Sequence, residues 1–260
     1  MDLGLKGKVA LIFGGSKGIG LASAAALVAD GAQLALAARQ LDTFAELPAE
    51  LAGPSVLRLA ADLTVESEVV QAVQDTLERF GRIDILVVSA GAAQGGVFWE
   101  IADDVWDDAL ALKLMGTVRA LRAVAPVMQA QGAGRIVVVV GNAGKQPNKR
   151  MLPGAAANAA CLAVVRGLAE ELAPAGVQVN AVNPGPTRTG RWNTQMENLA
   201  AASGSSADAV EDEFRAAIPL GRLSEPAEIG RLIAVLASDV SGATTGTSLT
   251  VDGGMTKAIA

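Results

Sequence analysis

The sequence predicts a doubly wound α/β fold, in which helices cover both faces of a parallel β-sheet. Short runs rich in β-branched residues alternate with longer helical stretches, at the spacing of successive βαβ units. The runs at 85–88 and 136–140 are apolar at every position, which is typical of central parallel strands buried on both faces. Because neither a linker nor an internal repeat interrupts the sequence, we expect residues 1–260 to form a single domain.

The individual elements follow from where these patterns begin and end. Compact β-branched runs mark candidate strands at 9–13, 34–38, 56–59, 83–88, 136–140, 177–182 and 248–251. Longer stretches mark candidate helices at 19–29, 43–51, 66–80, 104–129, 155–172 and 226–237. Residues 187–219 form an irregular region rich in Ala, Ser and Gly with scattered large apolar residues. An insertion of this kind after a strand predicts a substrate lid, with a disordered surface loop as an equal alternative.

The composition excludes several classes of partner and site. Hydrophobic residues make up 51% of the chain, which predicts a packed core. A net charge of −6 without a long basic run argues against a nucleic-acid partner. We find no apolar run of membrane-spanning length and no signal peptide, so we expect a cytoplasmic protein with no membrane partner. With one cysteine, Cys161, and no histidine, we expect neither a disulfide framework nor a transition-metal site.

The first strand leads directly into a glycine-rich turn that opens an Ala-rich helix. The turn has the sequence Gly-Gly-Ser-Lys-Gly-Ile-Gly and occupies positions 14–20. Its glycines allow a sharp bend and let a pyrophosphate approach backbone N–H groups at the helix N-terminus. Glycine loops also serve turn geometry alone, but the position at the first strand-to-helix junction indicates a dinucleotide site.

The choice of dinucleotide depends on the end of the second strand. An NAD site places an acidic residue there to bind the ribose 2′-hydroxyl, whereas this chain has Ala37, Ala38 and Arg39. The planar guanidinium of Arg39 suits a 2′-phosphate, and Lys17 in the glycine loop adds a second cation. The two residues therefore favour NADP(H), the alternative being that both are ordinary surface charges.

Together these motifs resemble the short-chain dehydrogenase/reductase family along essentially the whole chain. The 3-oxoacyl-carrier-protein reductase-like branch is the most similar part of that family. Asp62-Leu63 resembles the family's adenine-contacting pair, and Ala90-Gly91 the end of its Asn-Asn-Ala-Gly turn. Residues 183–187 resemble the segment that meets the nicotinamide carboxamide. The resemblance implies a Rossmann fold with a seven-stranded parallel sheet and, usually, a homotetramer.

The glycine loop, the end of the second strand and the resemblance together define the expected cofactor site. The cofactor-binding residues that we expect are Gly14, Ser16, Lys17, Gly18, Ile19, Gly20, Arg39, Asp62, Leu63, Ala90, Gly91, Pro184, Gly185 and Thr187.

The chain departs from the family at its catalytic tetrad. The family uses Asn, Ser, Tyr and Lys, with the Tyr and Lys separated by three residues. The surrounding motifs place the tyrosine at Gly154, the lysine at Asn158, the serine at Gly141 and the asparagine at Lys113. All four positions are thus substituted, and no change of register restores the tyrosine because the chain contains none. Since a positioned acid contributes about 10²–10⁴ to the rate, we do not expect ordinary ketone reduction by the family mechanism.

Lys113 and Asn158 are the candidate catalytic residues. In the family both positions face the same pocket, so the chain would keep a cation and an amide there with their places exchanged. A desolvated lysine can act as acid or base near neutral pH, the alternative being that Lys113 points to solvent. Lys145, Lys149 and Arg150 on the predicted pocket-side loop could bind an acidic substrate or form a solvated face.

Three classes of function remain open. An oxidoreductase with a displaced mechanism would reduce an iminium or a conjugated alkene, which needs less help from an acid at oxygen. The alternatives are a non-redox enzyme on the same scaffold and a catalytically inactive binding or partner subunit. We favour the oxidoreductase, acting on a small-molecule substrate, because the cofactor loop is intact. The helices at 104–129 and 155–172 are apolar beyond one face, so we also expect a homo-oligomer, a dimer or tetramer, that buries them between subunits.

Overall fold

The computed structural model describes residues 2–45, 47–53, 56–91 and 95–258. In this part of the chain, seven parallel strands form one sheet in the order β3-β2-β1-β4-β5-β6-β7. The strands are β1 (Val9–Phe13), β2 (Gln33–Ala38), β3 (Val56–Ala60), β4 (Ile85–Val88), β5 (Gly134–Val139), β6 (Val177–Pro184) and β7 (Ser248–Val251). The predicted doubly wound α/β fold with a seven-stranded parallel sheet is therefore confirmed.

The helices flank this sheet and continue beyond its carboxyl edge. They are α1 (Gly18–Ala29), α2 (Glu66–Phe80), α3 (Asp103–Ala109), α4 (Gly116–Gln131), α5 (Leu152–Leu172), α6 (Gly190–Ser203), α7 (Ala207–Ala216) and α8 (Pro226–Leu236). A π-helical turn, Leu110–Met115, joins α3 to α4 within the single helix predicted at 104–129. Such wide turns inside helices are frequent at functional sites.

The order of the strands creates a crevice between β1 and β4. β1 pairs with β2 on one side and with β4 on the other, and Phe13 lies opposite Val88 at the carboxyl ends. The Ser89 N–H continues this pairing by donating to the Phe13 carbonyl at 2.9 Å. At such a switch point the connections leave toward opposite faces of the sheet, and ligands bind in the crevice between them. The glycine turn after β1 therefore faces the segment that follows β4.

Two apolar layers hold the sheet, one on each face. Consecutive residues of β1 contribute to different layers, since Phe13 packs on the side of α2, α4 and α5, and Ile12 on the side of α1 and α8. Val165 of α5 and Leu27 of α1 are almost completely buried in the respective layers. Because successive side chains of a strand alternate between faces, β1 anchors both layers and fixes the position of the turn that follows it.

The helix predicted at 43–51 is wrong. The chain instead forms two short 3₁₀ turns, Leu41–Phe44 and Ala49–Leu51, with Pro48 immediately before the second. A proline has no N–H to donate and its ring clashes with the preceding turn, so an α-helix cannot run through this position without a break. Position 46 lies outside the described residues.

The irregular region predicted at 187–219 contains two helices, α6 and α7. The side chain of Thr189 accepts a hydrogen bond from the N–H of Trp192, and Ser206 accepts one from the N–H of Ala209. These two residues cap the N-termini of α6 and α7, and Gly204 ends α6 in the left-handed conformation. Polar and glycine residues at 189, 204 and 206 are therefore helix boundaries rather than signs of an irregular segment.

Helix α5 is the most apolar long helix of the fold. Within the described residues, Leu152–Ala175 alone is long and apolar enough to cross a membrane by length and composition, so the prediction that no run reaches that length is wrong. An apolar core helix meets the same criterion. In the structure Cys161, Val165 and Ala169 of α5 are buried against the sheet, and 33% of the apolar window is buried in total. The inward face of α5 is thus part of the core, and much of its outward face is apolar as well.

Candidate active site

A cavity of about 720 Å³ opens at the carboxyl ends of β1, β4, β5 and β6. Its walls come from the glycine turn, the strand ends, the start of α5 and the helices α6 and α7. The predicted site residues that line it are Lys17, Gly18, Ile19, Ala90, Lys113, Asn158, Pro184, Gly185 and Thr187. The predicted residues that lie outside this lining are Gly14, Ser16, Gly20, Arg39, Asp62, Leu63 and Gly91.

The glycine turn approaches the segment after β4 so closely that side chains are excluded. Gly14 has φ +79°, and a β-carbon on it would lie 3.0 Å from the carbonyl of Ser89. A β-carbon on Gly20 would lie 2.1 Å from the carbonyl oxygen of Gly14. Helix α1 begins at Gly18, and the first N–H groups of a helix have no acceptor within it. The turn therefore presents bare backbone and a helix N-terminus, which fits a pyrophosphate.

The predicted 2′-phosphate and adenine contacts lie at the ends of β2 and β3. Arg39 is exposed and makes no hydrogen bond or ion pair with any described residue. The Asp62 carboxylate accepts from the N–H of Thr64 at 2.8 Å and from its hydroxyl at 2.7 Å. Leu63 is buried, and its carbonyl accepts from Arg119 at 3.2 Å. Asp62 and Leu63 thus build the turn that starts α2, whereas Arg39 is free to meet a ligand.

The segment after β6 turns Thr187 inward and Thr189 toward the glycine turn. Thr187 is 6% exposed, and its hydroxyl donates to the Gly185 carbonyl at 2.9 Å. The methyl carbon of Thr189 lies 3.3 Å from the position of a β-carbon on Gly18. Thr189 was missed in the sequence, although a threonine directly before a helix is a common N-cap. It is Thr189 that joins the start of α6 to the start of α1.

A buried carboxylate fixes the loop after β5. The Asp252 carboxylate accepts from the N–H groups of Gly254 and Thr256 and, at 3.3 Å, from the side-chain amide of Asn142, which lines the cavity. Burial raises the pKa of Asp252, but these hydrogen bonds outweigh it and the net pKa is lowered. A β-carbon on Gly185 would lie 2.5 Å from the β-carbon of Asp252. The ionised carboxylate therefore locks the ends of β6 and β7 to the cavity wall.

Lys113 projects from the π-helical turn into the gap between the ends of β4 and β5. It is 7% exposed, which makes the alternative of a solvent-pointing side chain wrong. Its Nζ donates to the carbonyl of Ala90 at 3.2 Å and to the carbonyl of Val139 at 2.5 Å. Because an ammonium group has three protons, two hold these strand ends and one is left for the cavity that Lys113 lines.

The burial of Lys113 changes its proton affinity. Desolvation lowers its pKa from 10.5 to about 8, with Cys161 opposing this change and the charge of Arg191 adding to it. The Cys161 thiol donates to the Lys113 carbonyl at 3.4 Å, and burial raises the pKa of this thiol. Cys161 is thus a buried contact between α5 and the π-helical turn. A lysine with a pKa near 8 exchanges its proton near neutral pH, as an acid catalyst must.

Gly141, Gly154 and Asn158 surround the space next to Lys113. Gly141 has φ +131°, and a β-carbon on it would lie 2.9 Å from Nδ2 of Asn158. At Gly154, by contrast, a β-carbon would meet no atom within 4 Å. Asn158 lines the cavity and is half-buried, so its amide is available to a ligand. The space next to Gly154 is therefore open, whereas the Asn158 amide occupies the space next to Gly141.

Arg191 is a cavity residue that the sequence analysis missed. The basic residues of the described lining are Lys17, Lys113 and Arg191, and no acidic residue belongs to this lining. Lys145, for which both substrate binding and a solvated face were left open, donates to the Ser248 carbonyl at 2.8 Å and does not line the cavity. Lys149 and Arg150 are exposed and do not line the cavity either. Arg191 follows the first residue of α6, so recognising that helix in the sequence would have placed it at the cavity.

Helices α6 and α7 have an apolar core of their own. Trp192 is 7% exposed and meets Phe214 edge to face, with ring centroids 5.1 Å apart. The indole N–H of Trp192 donates to Glu211 at 2.9 Å. Across the cavity mouth, the amide of Gln195 contacts the sulfur of Met151 at 3.0 Å. This small core is separate from the two layers of the sheet.

Known proteins share this architecture over the whole chain. Residues 14–256 match the family described as enoyl-(acyl carrier protein) reductase. The chain is 37% identical over 261 residues to oxidoreductase UcpA of Escherichia coli K12, covering 97% of this chain and 95% of UcpA. It is 34% identical over 255 residues to the 3-oxoacyl-[acyl-carrier-protein] reductase of Synechocystis sp. PCC 6803, covering 96% of this chain and 98% of the relative.

A solved structure agrees with these relatives. A single-substitution variant of actinorhodin polyketide ketoreductase, solved with NADPH, superposes with a TM-score of 0.91 at 31% identity, covering 96% of this chain and 98% of the ketoreductase. The match extends from the glycine turn after β1 to the last strand, and it includes both layers of the fold. On these grounds the chain belongs to the short-chain dehydrogenase/reductase family of oxidoreductases.

Proposed function

We propose that the protein is an NADP(H)-dependent reductase of a carbon–carbon double bond conjugated to a carbonyl, with Lys113 and Asn158 in place of the family's catalytic tetrad. The observation that carries this proposal is the buried ammonium of Lys113, which lines the cavity beside the Ala90 carbonyl. The segment 187–219 would act as the substrate lid. Each part of the proposal rests on a separate feature of the site.

The proposed loss of the tetrad is supported by the residues around Lys113. Gly141 and Gly154 have no side chain that could donate a proton or hold an oxyanion. The left-handed backbone of Gly141 disfavours any side chain there, so the local structure has adapted to glycine. Lys113 and Asn158 supply the cation and the amide. Both line the cavity, which supports the interpretation that their places have been exchanged.

The backbone at the crevice fits a nicotinamide dinucleotide. Gly14 and Gly20 leave room for a pyrophosphate at the start of α1, and Pro184 and Gly185 line the opposite wall. Lys17 and Arg39 are both exposed, and they would bind the 2′-phosphate of NADP(H). When bound, a reduced nicotinamide supplies a hydride. The residues of this chain would then hold the acceptor, stabilise the charge that develops on it and deliver a proton.

Lys113 would stabilise an enolate. Addition of hydride to the β-carbon of a conjugated carbonyl breaks the C=C π bond and moves its electron pair onto the carbonyl oxygen. The Lys113 ammonium and the Asn158 amide would donate hydrogen bonds to that oxygen, in a site where burial strengthens them. A proton from Lys113 then goes to the α-carbon, and solvent restores the lysine. The pKa of about 8 allows this return near neutral pH.

The charge of the cavity supports one of the two acceptors that the sequence left open. An iminium ion is a cation, and a site suited to it would contain a carboxylate. The described lining instead combines Lys17, Lys113 and Arg191 with no acidic residue. Like charges at such distances disfavour binding of a cation, whereas a developing enolate is stabilised. A conjugated alkene is therefore the better acceptor.

A catalytically inactive binding subunit is the second candidate. This candidate is favoured by the two hydrogen bonds that Lys113 donates to Ala90 and Val139. They could make Lys113 a structural brace between β4 and β5 rather than a catalyst. A lysine that acts only as a brace would affect stability, but the protein would show no turnover with any acceptor. The two candidates therefore differ in an observable rate.

A matched pair of thioesters tests the proposal. We expect oxidation of NADPH with crotonyl-N-acetylcysteamine and negligible oxidation with acetoacetyl-N-acetylcysteamine, which has a ketone in place of the double bond. In Lys113→Met the crotonyl rate should fall by about 10²–10⁴ while NADPH still binds. Lys145→Met, which removes a lysine outside the cavity, is the control. Reduction of the ketone at an equal rate would refute the proposal, and no turnover with a wide panel of enones would favour the inactive subunit.

A further inference from the structure

Arg191 is a charged side chain in the cavity without a partner among the described residues. It follows Gly190, the first residue of α6, and its neighbour Trp192 is buried in the core of the lid. The hydrogen bond from the Trp192 indole to Glu211 and the N-cap at Thr189 fix this turn of the helix. Because consecutive helix residues point in different directions, burying Trp192 sends Arg191 toward the cavity that it lines.

The guanidinium of Arg191 and the ammonium of Lys113 both lie near Gly91. Nη1 of Arg191 lies 3.8 Å from the position that a β-carbon on Gly91 would occupy, and Nζ of Lys113 lies 3.7 Å from the same point. The lid and the π-helical turn thus bring two cations together at the end of β4. Like charges that lie near each other repel, so an anion placed between them would be attracted by both.

No acidic side chain of the described residues takes that role. Glu211, a carboxylate of α7, already accepts from Trp192 and Arg215 and lies 4.0 Å from Arg188. The surrounding protein lowers the pKa of Arg191 by desolvation, yet an arginine keeps its proton. The Arg191 side chain is exposed, and an anionic ligand in the cavity would supply the counter-charge that the described lining lacks.

We propose that Arg191 recognises an anionic oxygen group on the substrate, a carboxylate in the simplest case, and that Lys113 faces the same group or the carbonyl next to it. The planar fork of an arginine matches a carboxylate through two parallel hydrogen bonds. The residue therefore determines specificity, since a neutral ester of the same shape would leave the guanidinium unpaired. This inference rests on the proposed function only in taking the ligand to be the substrate.

A phosphate of the cofactor is the other source of negative charge that could reach Arg191. Lys17 and the start of α1 already offer donors for the cofactor phosphates. Arg191 lies instead near Gly91 and Lys113, where the proposed acceptor would be reduced. The substrate is therefore the better source, and the two sources make different predictions for binding of NADPH.

The test compares levulinate, a saturated keto acid, with its methyl ester, which has the same skeleton without the charge. Affinities are measured by calorimetry on the full chain with NADP⁺ bound. We expect levulinate to bind about tenfold more tightly than methyl levulinate, and Arg191→Gln to abolish this preference. Arg191→Lys, which keeps the charge without the planar guanidinium, should retain part of the preference for levulinate. Arg231→Gln removes an exposed arginine of α8 outside the cavity, and it should leave the preference for levulinate unchanged.

Affinity for NADPH separates the outcomes. The proposal requires that Arg191→Gln bind NADPH as tightly as the original protein does. Equal affinities for the acid and the ester in the original protein would overturn it, as would a loss of NADPH binding in Arg191→Gln with the preference for levulinate intact. If the protein does not bind NADPH at all, the proposed function fails. The preference for levulinate, measured without cofactor, then still decides the role of Arg191.

Discussion

Gly141 and Asn158 face each other so closely that a β-carbon on Gly141 would lie 2.9 Å from the Asn158 side-chain nitrogen. Gly141 also has φ +131°, a conformation that residues with side chains rarely adopt. The glycine at the proposed serine position is thus built into the backbone, and the amide of Asn158 occupies the adjoining space. Restoring the family's side chains would require the backbone itself to change.

The first prediction concerns stability at the two glycines. Gly141→Ala should lower the free energy of unfolding by about 1–3 kcal/mol, because it forces a side chain into a strained conformation. Gly154→Ala adds the same methyl group to a helix where nothing lies within 4 Å, and it should stabilise by about 0.5–1 kcal/mol. Urea unfolding of both variants measures the difference. A neutral Gly141→Ala would show that the backbone at 141 readily adjusts.

The second prediction concerns the choice of cofactor. The protein should bind NADPH more tightly than NADH, because Lys17 and Arg39 are exposed cations beside the expected site of the 2′-phosphate. Arg39→Ala should reduce that preference by about tenfold, as expected for one charge-assisted hydrogen-bonded contact. Calorimetric titration with both nucleotides measures it, and Arg231→Ala is the control. Equal affinity for the two nucleotides in the original protein would contradict the assignment.

The third prediction concerns the lid. Phe214→Ala removes the ring that contacts Trp192 and should destabilise the pairing of α6 and α7 by about 2 kcal/mol, roughly half the value for a fully buried phenylalanine. Hydrogen exchange should then become faster at 190–216 and stay unchanged in the sheet, since the lid has its own core. As a control, Leu220→Ala truncates a side chain that is 68% exposed. It should change neither the stability of the α6–α7 pairing nor the exchange rates. Faster exchange throughout the sheet would show that the lid does not move separately.

The fourth prediction concerns assembly. The outward face of α5 carries small residues such as Ala159, and only 33% of its apolar window is buried within one chain. We expect a dimer or tetramer that covers this face. Ala159→Arg should shift the assembly to smaller species in light scattering, whereas Ala227→Arg on the exposed side of α8 should not. A monomeric original protein at micromolar concentration would contradict the prediction.

The sequence predicted the sheet well because its signals are local. Val9–Phe13 is continuous and apolar, and the glycines after it are required by contacts within a few residues or with the adjacent strand. The helix at 43–51 failed for an equally local reason, because Pro48 prevents it from continuing. Strand positions and the glycine turn therefore follow from the sequence with little help from tertiary structure.

The cavity is less predictable, since its contents depend on contacts between distant segments. Lys113 could be identified from the resemblance, but its hydrogen bonds to Ala90 and Val139 join residues far apart in the chain. Arg191 was missed because its direction is set by the burial of Trp192 in α6, a helix that looked irregular in the sequence. The sequence left open whether Lys145 faces the pocket, and a hydrogen bond to the distant carbonyl of Ser248 decides it. Composition cannot reveal which cations the fold turns inward.

The role of Lys113 is tested most directly by the pH dependence of enone reduction. Its pKa is lowered from 10.5 to about 8 in the folded protein, and the acid form is the one that donates the proton. The kcat/KM for the crotonyl thioester with NADPH should therefore be constant below pH 8 and fall as the pH rises through 8. In Lys113→Met the kcat/KM should be lower by about 10²–10⁴, and its fall with rising pH should disappear. A Lys113→Met variant that keeps the original rate and the original pH profile would contradict the assignment of Lys113 as the proton donor.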